Sequence, residues 1–200
     1  MSRHDFYFLI GLVATALGWA LTLVQLRRAW KISSEGIALA TWLTFLYSTI
    51  FWIWYGAVIW NPIVFWSSLG IFPIQAVVVA RLERRGQRRV FLETAGIVFL
   101  ACGLSTMVFG WNGGCYGAGI LMVVNRWPQI RKLIVSHEVE GVSVASWSLG
   151  FISLGLWAVY YVGQHQWAPS IASGVAAAGN VVIVVLAANR HRQHRQLARA

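Results

Sequence analysis

Two hundred residues with 58% hydrophobic side chains, 12 tryptophans and only 11% charged residues do not describe a soluble domain, in which about a quarter of the residues are charged. The formal net charge of +10 does not point to nucleic acid, because the basic residues lie between or just beyond the apolar runs, where the positive-inside rule places them. Cys102 and Cys115 form neither a disulfide framework nor a metal-ligand spacing, so the chain is expected to need no metal and no other cofactor.

Seven apolar segments have about the length that crosses ~30 Å of hydrocarbon: 6–25, 37–59, 63–80, 90–109, 116–133, 144–162 and 169–188. The first follows Arg3 and His4 and contains the small run Ala14-Thr15-Ala16, as a signal peptide would. Its apolar run is too long for a secretory leader and ends in Arg27-Arg28, so it is expected to stay in the mature protein. With seven crossings, one face receives the amino terminus and the turns 60–62, 110–114 and 163–168, and Arg3 is its one basic residue. The opposite face receives Arg27, Arg28, Lys31, Arg81, Arg84, Arg85, Arg88, Arg89, Arg131, Lys132, Arg190, Arg192, Arg195 and Arg199, with Arg126 left near a helix end. The asymmetry predicts an integral membrane protein with its amino terminus outside and its carboxy terminus in the cytoplasm. The absence of a targeting signal suits a bacterial inner membrane.

The segments repeat. ALTLVQLRRAWKISSEGIALATWLTFLYSTIFWIWYG and the later NRWPQIRKLIVSHEVEGVSVASWSLGFISLGLWAVYY place Gln25 opposite Gln129, Arg27-Arg28 opposite Arg131-Lys132, Glu35-Gly36 opposite Glu140-Gly141, Trp42 opposite Trp147, Trp52 opposite Trp157 and Tyr55 opposite Tyr160. Asn61-Pro62 then aligns with Ala168-Pro169, and an apolar helix follows in each copy. The expected fold is all-α, with two parallel three-helix units joined by a linker crossing: 1–83 the first bundle, 84–112 the linker, 113–189 the second bundle and 190–200 a basic cytoplasmic tail. An odd number of helices per unit would invert two directly joined copies, and the segment 90–109 restores the direction. Glu93 in that segment is expected to pair with Arg88 or Arg89. Trp60, Trp66, Trp111 and Trp167 are expected at the outer boundary and Trp30, Trp42 and Trp147 at the inner one, as interfacial anchors. The small residues of the last helix, among them Ala172, Ser173, Gly174 and Gly179, allow a close neighbour. The basic tail reads as a solvated stop against anionic lipid, and His191 and His194 are not taken for metal ligands.

Polar groups within hydrocarbon need a reason. Asn180, in the middle of the seventh segment, either bonds a neighbouring helix or faces a cavity and binds a polar ligand. Under the register that pairs the prolines, its counterpart is Pro73, which frees the carbonyl near Leu69 and kinks its helix, and Gln75 close by supplies the polar group that Pro73 lacks. Trp52 and Trp157 either sandwich an apolar sugar face, with indole N–H groups left for hydroxyls, or fill the core. Tyr55 and Tyr160 are either gate hydroxyls or interfacial. Pro128 reads as a hinge within the fifth helix, with Gln129 satisfying freed carbonyls as the hinge moves. In the first copy Val24 replaces the proline and leaves Gln25, so that copy is expected to bend less. No Asp lies in any segment, Lys occurs at 31 and 132 alone, and phosphate-binding loop, zinc signature and nucleophile elbow are all missing. His137 and Glu138 lack a third partner, and no enzymatic activity is expected.

WPQIRKL with EGVSVASWSLGFISLGLWAVYY, and more weakly VQLRRAW with SEGIALATW and WIWYG, resemble the motif and following helix of the PQ-loop superfamily, and within it the seven-helix SWEET-type transporters. The likeness covers nearly the whole chain apart from the linker and the tail. It implies a 3+1+3 arrangement of parallel repeats, a midplane cavity between two bundles, and alternating access without an energy source in the sugar-carrying members. Those members place an Asn in the third helix of each unit and aromatic residues around the sugar; Asn180 matches and Pro73 departs. Relatives that export amino acids or cystine use acidic residues within the membrane, which this chain lacks. The expected function is a sugar uniporter, with an amino-acid or related metabolite carrier and a non-transporting receptor or assembly protein as the alternatives. The expected partners are the small-molecule solute, the lipid bilayer and, for some arrangements, a second copy of the chain.

Overall fold

The computed structural model describes residues 2–31, 37–82, 87–135 and 142–197. The pairs Glu35-Gly36 and Glu140-Gly141, together with Arg84, Arg85, His137, Glu138 and Arg199, lie outside the described residues. The chain is helical: α1 (Arg3–Lys31), α2 (Leu39–Val58), α3 (Pro62–Leu82), α4 (Arg88–Val98), a π-helical segment (Phe99–Leu104), α5 (Ser105–Val124), α6 (Trp127–Val135), α7 (Val144–Gly163) and α8 (Trp167–Leu197). Five stretches, Asp5–Lys31, Pro62–Leu82, Arg88–Val135, Val144–Gly163 and Trp167–Gln193, are long and apolar enough to cross a membrane. α2 is 20 residues long, but its tryptophans, tyrosines and threonines make it less apolar than these.

The 48-residue stretch Arg88–Val135 is not one rod. Gly110 has φ 70° and ψ −171°, a conformation essentially restricted to glycine. A side chain on Gly117 would strike the carbonyl of Ala101, and one on Gly113 the carbonyl of Ser105. Residues 101 and 117 would stand about 24 Å apart along a straight helix at ~1.5 Å per residue. The chain therefore doubles back at Gly110 into an antiparallel pair. Gly113 and Gly117 meet Ala101 and Ser105 as two small-residue faces that let the backbones approach. The sequence places the turn at 110–114; the structure makes it at Gly110 and continues the helix through 111–114.

α2 and α7 end alike. Trp60 and His165 take left-handed φ of 55° and 56°. Asn61 N–H then donates to Gly56 O and Gln166 N–H to Tyr161 O, each at 2.9 Å. These six-residue closures are Schellman caps, made without glycine and at matching positions of the two copies. Among the packed pairs, α3 lies against both α1 and α2, and α8 against both α5 and α7. In each set of three, the last helix is thus in contact with the two before it. Between the sets, α1 packs along α7 and α2 meets α6, while α2 also meets α4 of the linker.

Large apolar side chains face outward as well as into the core, and many polar ones are buried. Leu9, Leu12 and Val13 of α1 and Ile171, Val175 and Val182 of α8 are exposed, while Thr22, Gln25, Ser48, Gln75, Arg126, Gln129, Ser153 and Asn180 are buried. Outward apolar and inward polar groups suit a hydrocarbon solvent. Trp30, Trp60, Trp66 and Trp167 are exposed as anchors would be, and Trp111 packs on Phe51 and Tyr55. Trp42 and Trp147 are buried rather than exposed, because each sits one turn inside the start of its helix, where the two copies meet. Cys102 and Cys115 are buried free thiols. Arg89 pairs with Glu93 at 2.6 Å, an exposed contact that solvent screens. The tail is not wholly solvated. α8 continues into it as far as Leu197, and the Arg190 guanidinium donates to Leu133 O at 3.2 Å and Ile134 O at 2.9 Å, satisfying carbonyls at the end of α6 with a cation.

Candidate functional site

Two layers of interaction bracket the centre of the molecule. At the first, the N-termini of α2 and α7 are received by the opposite copy. Gln129 Oε1 accepts the N–H of Ala38 at 3.0 Å, and Gln25 Oε1 accepts that of Ser143 at 3.3 Å. Thr41 Oγ1 donates to Asn125 O at 2.8 Å, and Ser146 Oγ to Leu21 O at 2.7 Å. Each bond of one pair is the repeat image of the other. Helix N-termini leave N–H groups unsatisfied; here the missing acceptors cross from one set of helices to the other. Both glutamines are 1% exposed. Their observed partners are therefore the facing helix starts, in addition to any freed carbonyl of their own helix. Pro128 does not interrupt a helix from within. Helix α5 ends at Val124, and Pro128 stands in the first turn of α6, where a missing N–H costs nothing. α1 runs unbroken through Gln25.

The other layer is aromatic. Phe51, Trp52, Tyr55, Tyr160 and Tyr161 form one buried cluster. The Tyr160 hydroxyl donates to Asn61 Oδ1 at 3.0 Å, and Asn61 Oδ1 also receives Val64 N–H at 3.2 Å, so Tyr160 ties α7 to the start of α3. Between the layers lies a cavity of about 200 Å³ lined from α1, α2, α3, α5, α7 and α8 together with the Asn125–Arg126 break. Trp52, Trp157, Gln75 and Asn180 line it; Tyr55, Tyr160 and Pro73 do not. Tyr55 and Tyr160 are buried in the aromatic layer, and Pro73 lies on the exposed side of α3. Gln25, Pro128 and Gln129 lie outside the lining as well.

Two expectations change. The indoles of Trp52 and Trp157 do not face each other across open space. Tyr161 stacks on both, with ring centroids 6.3 Å from Trp52 and 5.5 Å from Trp157. A phenol thus fills the place of a sandwiched ring, and the sequence reading overlooked it because Tyr160 matched Tyr55 and drew the attention. The partner of Asn180 is not Pro73. The spacing that relates Trp60 to His165 and Trp42 to Trp147 relates Asn180 to Gln75, and both amides line the cavity. The same spacing pairs Ser48 with Ser153 and Ser68 with Ser173 on its wall. Pro62 and Pro169 misled the alignment because α3 starts at its proline while α8 starts two residues before its own. Gln75 Oε1 accepts the Thr49 hydroxyl at 2.8 Å.

Asn180 both bonds a neighbouring helix and faces the cavity. Its Oδ1 accepts Arg126 Nε at 2.7 Å, and Arg126 Nη1 donates to Asn125 Oδ1 at 2.9 Å. Arg126 is 3% exposed, its guanidinium carbon lies 6.0 Å from the Phe45 ring centroid, and it is the one charged residue on the cavity wall. Gly179 clears its path: a side chain there would come within 2.6 Å of Arg126 Cδ. The sequence reading set Arg126 aside as a helix-end residue, although a basic residue inside the apolar segment 116–133 was itself the signal. Buried and lacking a partner on the same wall are Ser48 Oγ and Trp52 Nε1. The arrangement offers hydrogen-bond donors around a small void, with no nucleophile–base pair on its wall. The chain matches no protein-family model and no curated protein.

Proposed function

We propose that the protein is a membrane carrier that moves a small polar solute down its gradient by alternating access, with seven crossings in a 3+1+3 arrangement. The seven are the helices α1, α2 and α3, the linker that ends at Gly110, the crossing from there to the end of α6, and then α7 and α8. The observation that carries this reading is the cavity itself. Its wall is mainly apolar and aromatic with a few polar groups, Gln75, Asn180 and Arg126 among them, it is lined by matched residues of both copies, and it lies between two layers that each join one copy to the other. At a volume of about 200 Å³ it suits a solute smaller than the drug-sized ligands that fill pockets of roughly 300–1,000 Å³. The crossed bonds of Gln25 and Gln129 give the rocking motion something discrete to break and remake, and the break before Pro128 gives the second copy a place to bend. The resemblance to PQ-loop proteins of the SWEET type agrees with this reading, and so does the basic residue asymmetry, which sets the amino terminus outside.

The resemblance to the SWEET type, and not the motif itself, favours a sugar. The polar amides Gln75 and Asn180 and the indole of Trp52 remain suited to hydroxyl groups, whereas the stacked Tyr161 leaves no open indole clamp. Uptake of a panel of radiolabelled sugars, amino acids and organic acids into liposomes holding the purified protein tests the carrier. Saturable uptake of one class is expected, and Asn180→Ala is expected to lower it at least tenfold. Full uptake by a folded Asn180→Ala protein would remove Asn180 from the solute path, and no uptake of any solute would end the carrier reading.

A further inference from the structure

On the carrier reading above, and deepening it, we infer that the solute bears one carboxylate and that Arg126 receives it. A guanidinium keeps its proton in proteins, so the cavity wall carries one positive charge. No Asp or Glu is among the residues of that wall. A buried charge without an opposite charge costs several kcal/mol, and in a membrane protein it marks a solute or ion path. Asn125 and Asn180 occupy Nε and Nη1 with neutral amide oxygens; they orient the group and leave its charge unbalanced. Among the described residues, Arg126 donates from Nε and Nη1 alone. The pseudo-symmetric place in the first copy holds Thr22, whose hydroxyl is taken by Gly18 O at 3.1 Å.

Trp52 Nε1 and Ser48 Oγ are the second observation. Both residues line the same void and are 8% exposed, their Oγ and Nε1 have no partner among the described residues, and an indole N–H can only donate. A cation on this wall with no acid to meet it calls for an anion, the two unpartnered donors beside it favour one rich in acceptors, and a carboxylate fits the planar guanidinium edge. A neutral sugar would leave the charge unbalanced. A zwitterionic amino acid would bring an ammonium group with no carboxylate on the wall to meet it. Phosphate brings about −1.5 to −2 charges near neutral pH to a single arginine. The solute class is a small monocarboxylate, such as a sugar acid or a hydroxy acid.

Tryptophan fluorescence of the unmodified protein in detergent, titrated with gluconate, lactate, glucose, glycine and inorganic phosphate, reads this out, since Trp52 and Trp157 stand on the wall. The expected result is saturable quenching by gluconate or lactate at concentrations at least tenfold below those of glucose, glycine or phosphate. Asn180→Asp, which sets a fixed carboxylate against Arg126, is expected to weaken carboxylate binding at least tenfold while the melting temperature holds or rises. Glucose, glycine or phosphate binding as tightly as the carboxylates would overturn the assignment, as would undiminished carboxylate affinity in Asn180→Asp. Flux in liposomes separates the two readings. Transport of neutral solutes without transport of carboxylates overturns the carboxylate and leaves the carrier. Carboxylate binding without flux of any solute keeps the site and overturns the carrier.

Discussion

Arg126 has its Nε and Nη1 satisfied by two amide oxygens, and what happens on removing one of them follows from the cost of stranding a buried cation. Asn180→Leu keeps the side-chain volume similar and deletes the acceptor 2.7 Å from Nε. A hydrogen bond to a charged group is worth about 1.5–3 kcal/mol, so the variant is expected to melt lower than the parent in detergent by an amount of that order. Asn180→Asp should not, because it replaces a dipole by a counter-charge. An equal loss in both would mean that Asn180 matters through packing alone. Of this site, Asn180 and Gln75 were legible in the sequence because an amide in an apolar helix is conspicuous. Arg126 was not, because its helix breaks beside it and a basic residue near a helix end reads as an anchor. Tyr161 was hidden for another reason: two adjacent tyrosines point to different sides of a helix, and the sequence alone does not say which one stacks.

Among the elements, the two reversals at Gly110 and His165 are unlike in what they demand. Gly110 needs a backbone conformation that only glycine takes readily, with open space around it. Gly110→Ala therefore strains the backbone without a clash, at about 1–3 kcal/mol, and should lower the melting temperature. Gly96, in α4 with nothing within 4 Å of an added side chain, is the control. Alanine there is expected to be neutral or to stabilise by up to about 1 kcal/mol. His165 holds a left-handed φ of 56° that L residues adopt at a cost of roughly 1–2 kcal/mol, so His165→Gly should raise the melting temperature, and a fall would show that the imidazole contributes more than the strain removes. Element existence and order were readable from apolar runs and the repeat, and the helices α1, α2, α3, α7 and α8 fall where the segments were drawn. The matched caps at Trp60 and His165 were not readable, since neither residue type announces a left-handed turn. That gap is also why the prolines were aligned in place of the caps and Asn180 was matched to Pro73.

For the whole molecule, the crossed bonds at Gln25 and Gln129 and the lone charge of Arg126 have separate consequences. Gln25→Leu combined with Gln129→Leu keeps both helices buried and removes both acceptors for the opposite helix starts. Loss of two bonds of about 1 kcal/mol each is expected to favour the state open on that side. A cysteine at Ser146, in a protein with Cys102 and Cys115 replaced, should then react faster with a membrane-impermeant thiol reagent, and an unchanged rate would show that these bonds do not hold the layer shut. The charge acts on the driving force. On the proposed carrier and carboxylate readings, Arg126 stays with the protein while the solute crosses, so a monocarboxylate carried without a companion ion moves one negative charge per turnover. A membrane potential contributes about 2.3 kcal/mol per charge per 100 mV, which at about 1.4 kcal/mol per decade is roughly a 50-fold difference in solute concentration at equilibrium. In liposomes with an interior-negative potential of that size, set by potassium and valinomycin, gluconate should end about 50-fold lower inside than outside, while with the potential collapsed it should equalise. Equal distribution under both conditions would mean that a cation travels with the solute, and since the cavity wall carries no carboxylate to bind one, the solute's own carboxylate would have to hold it.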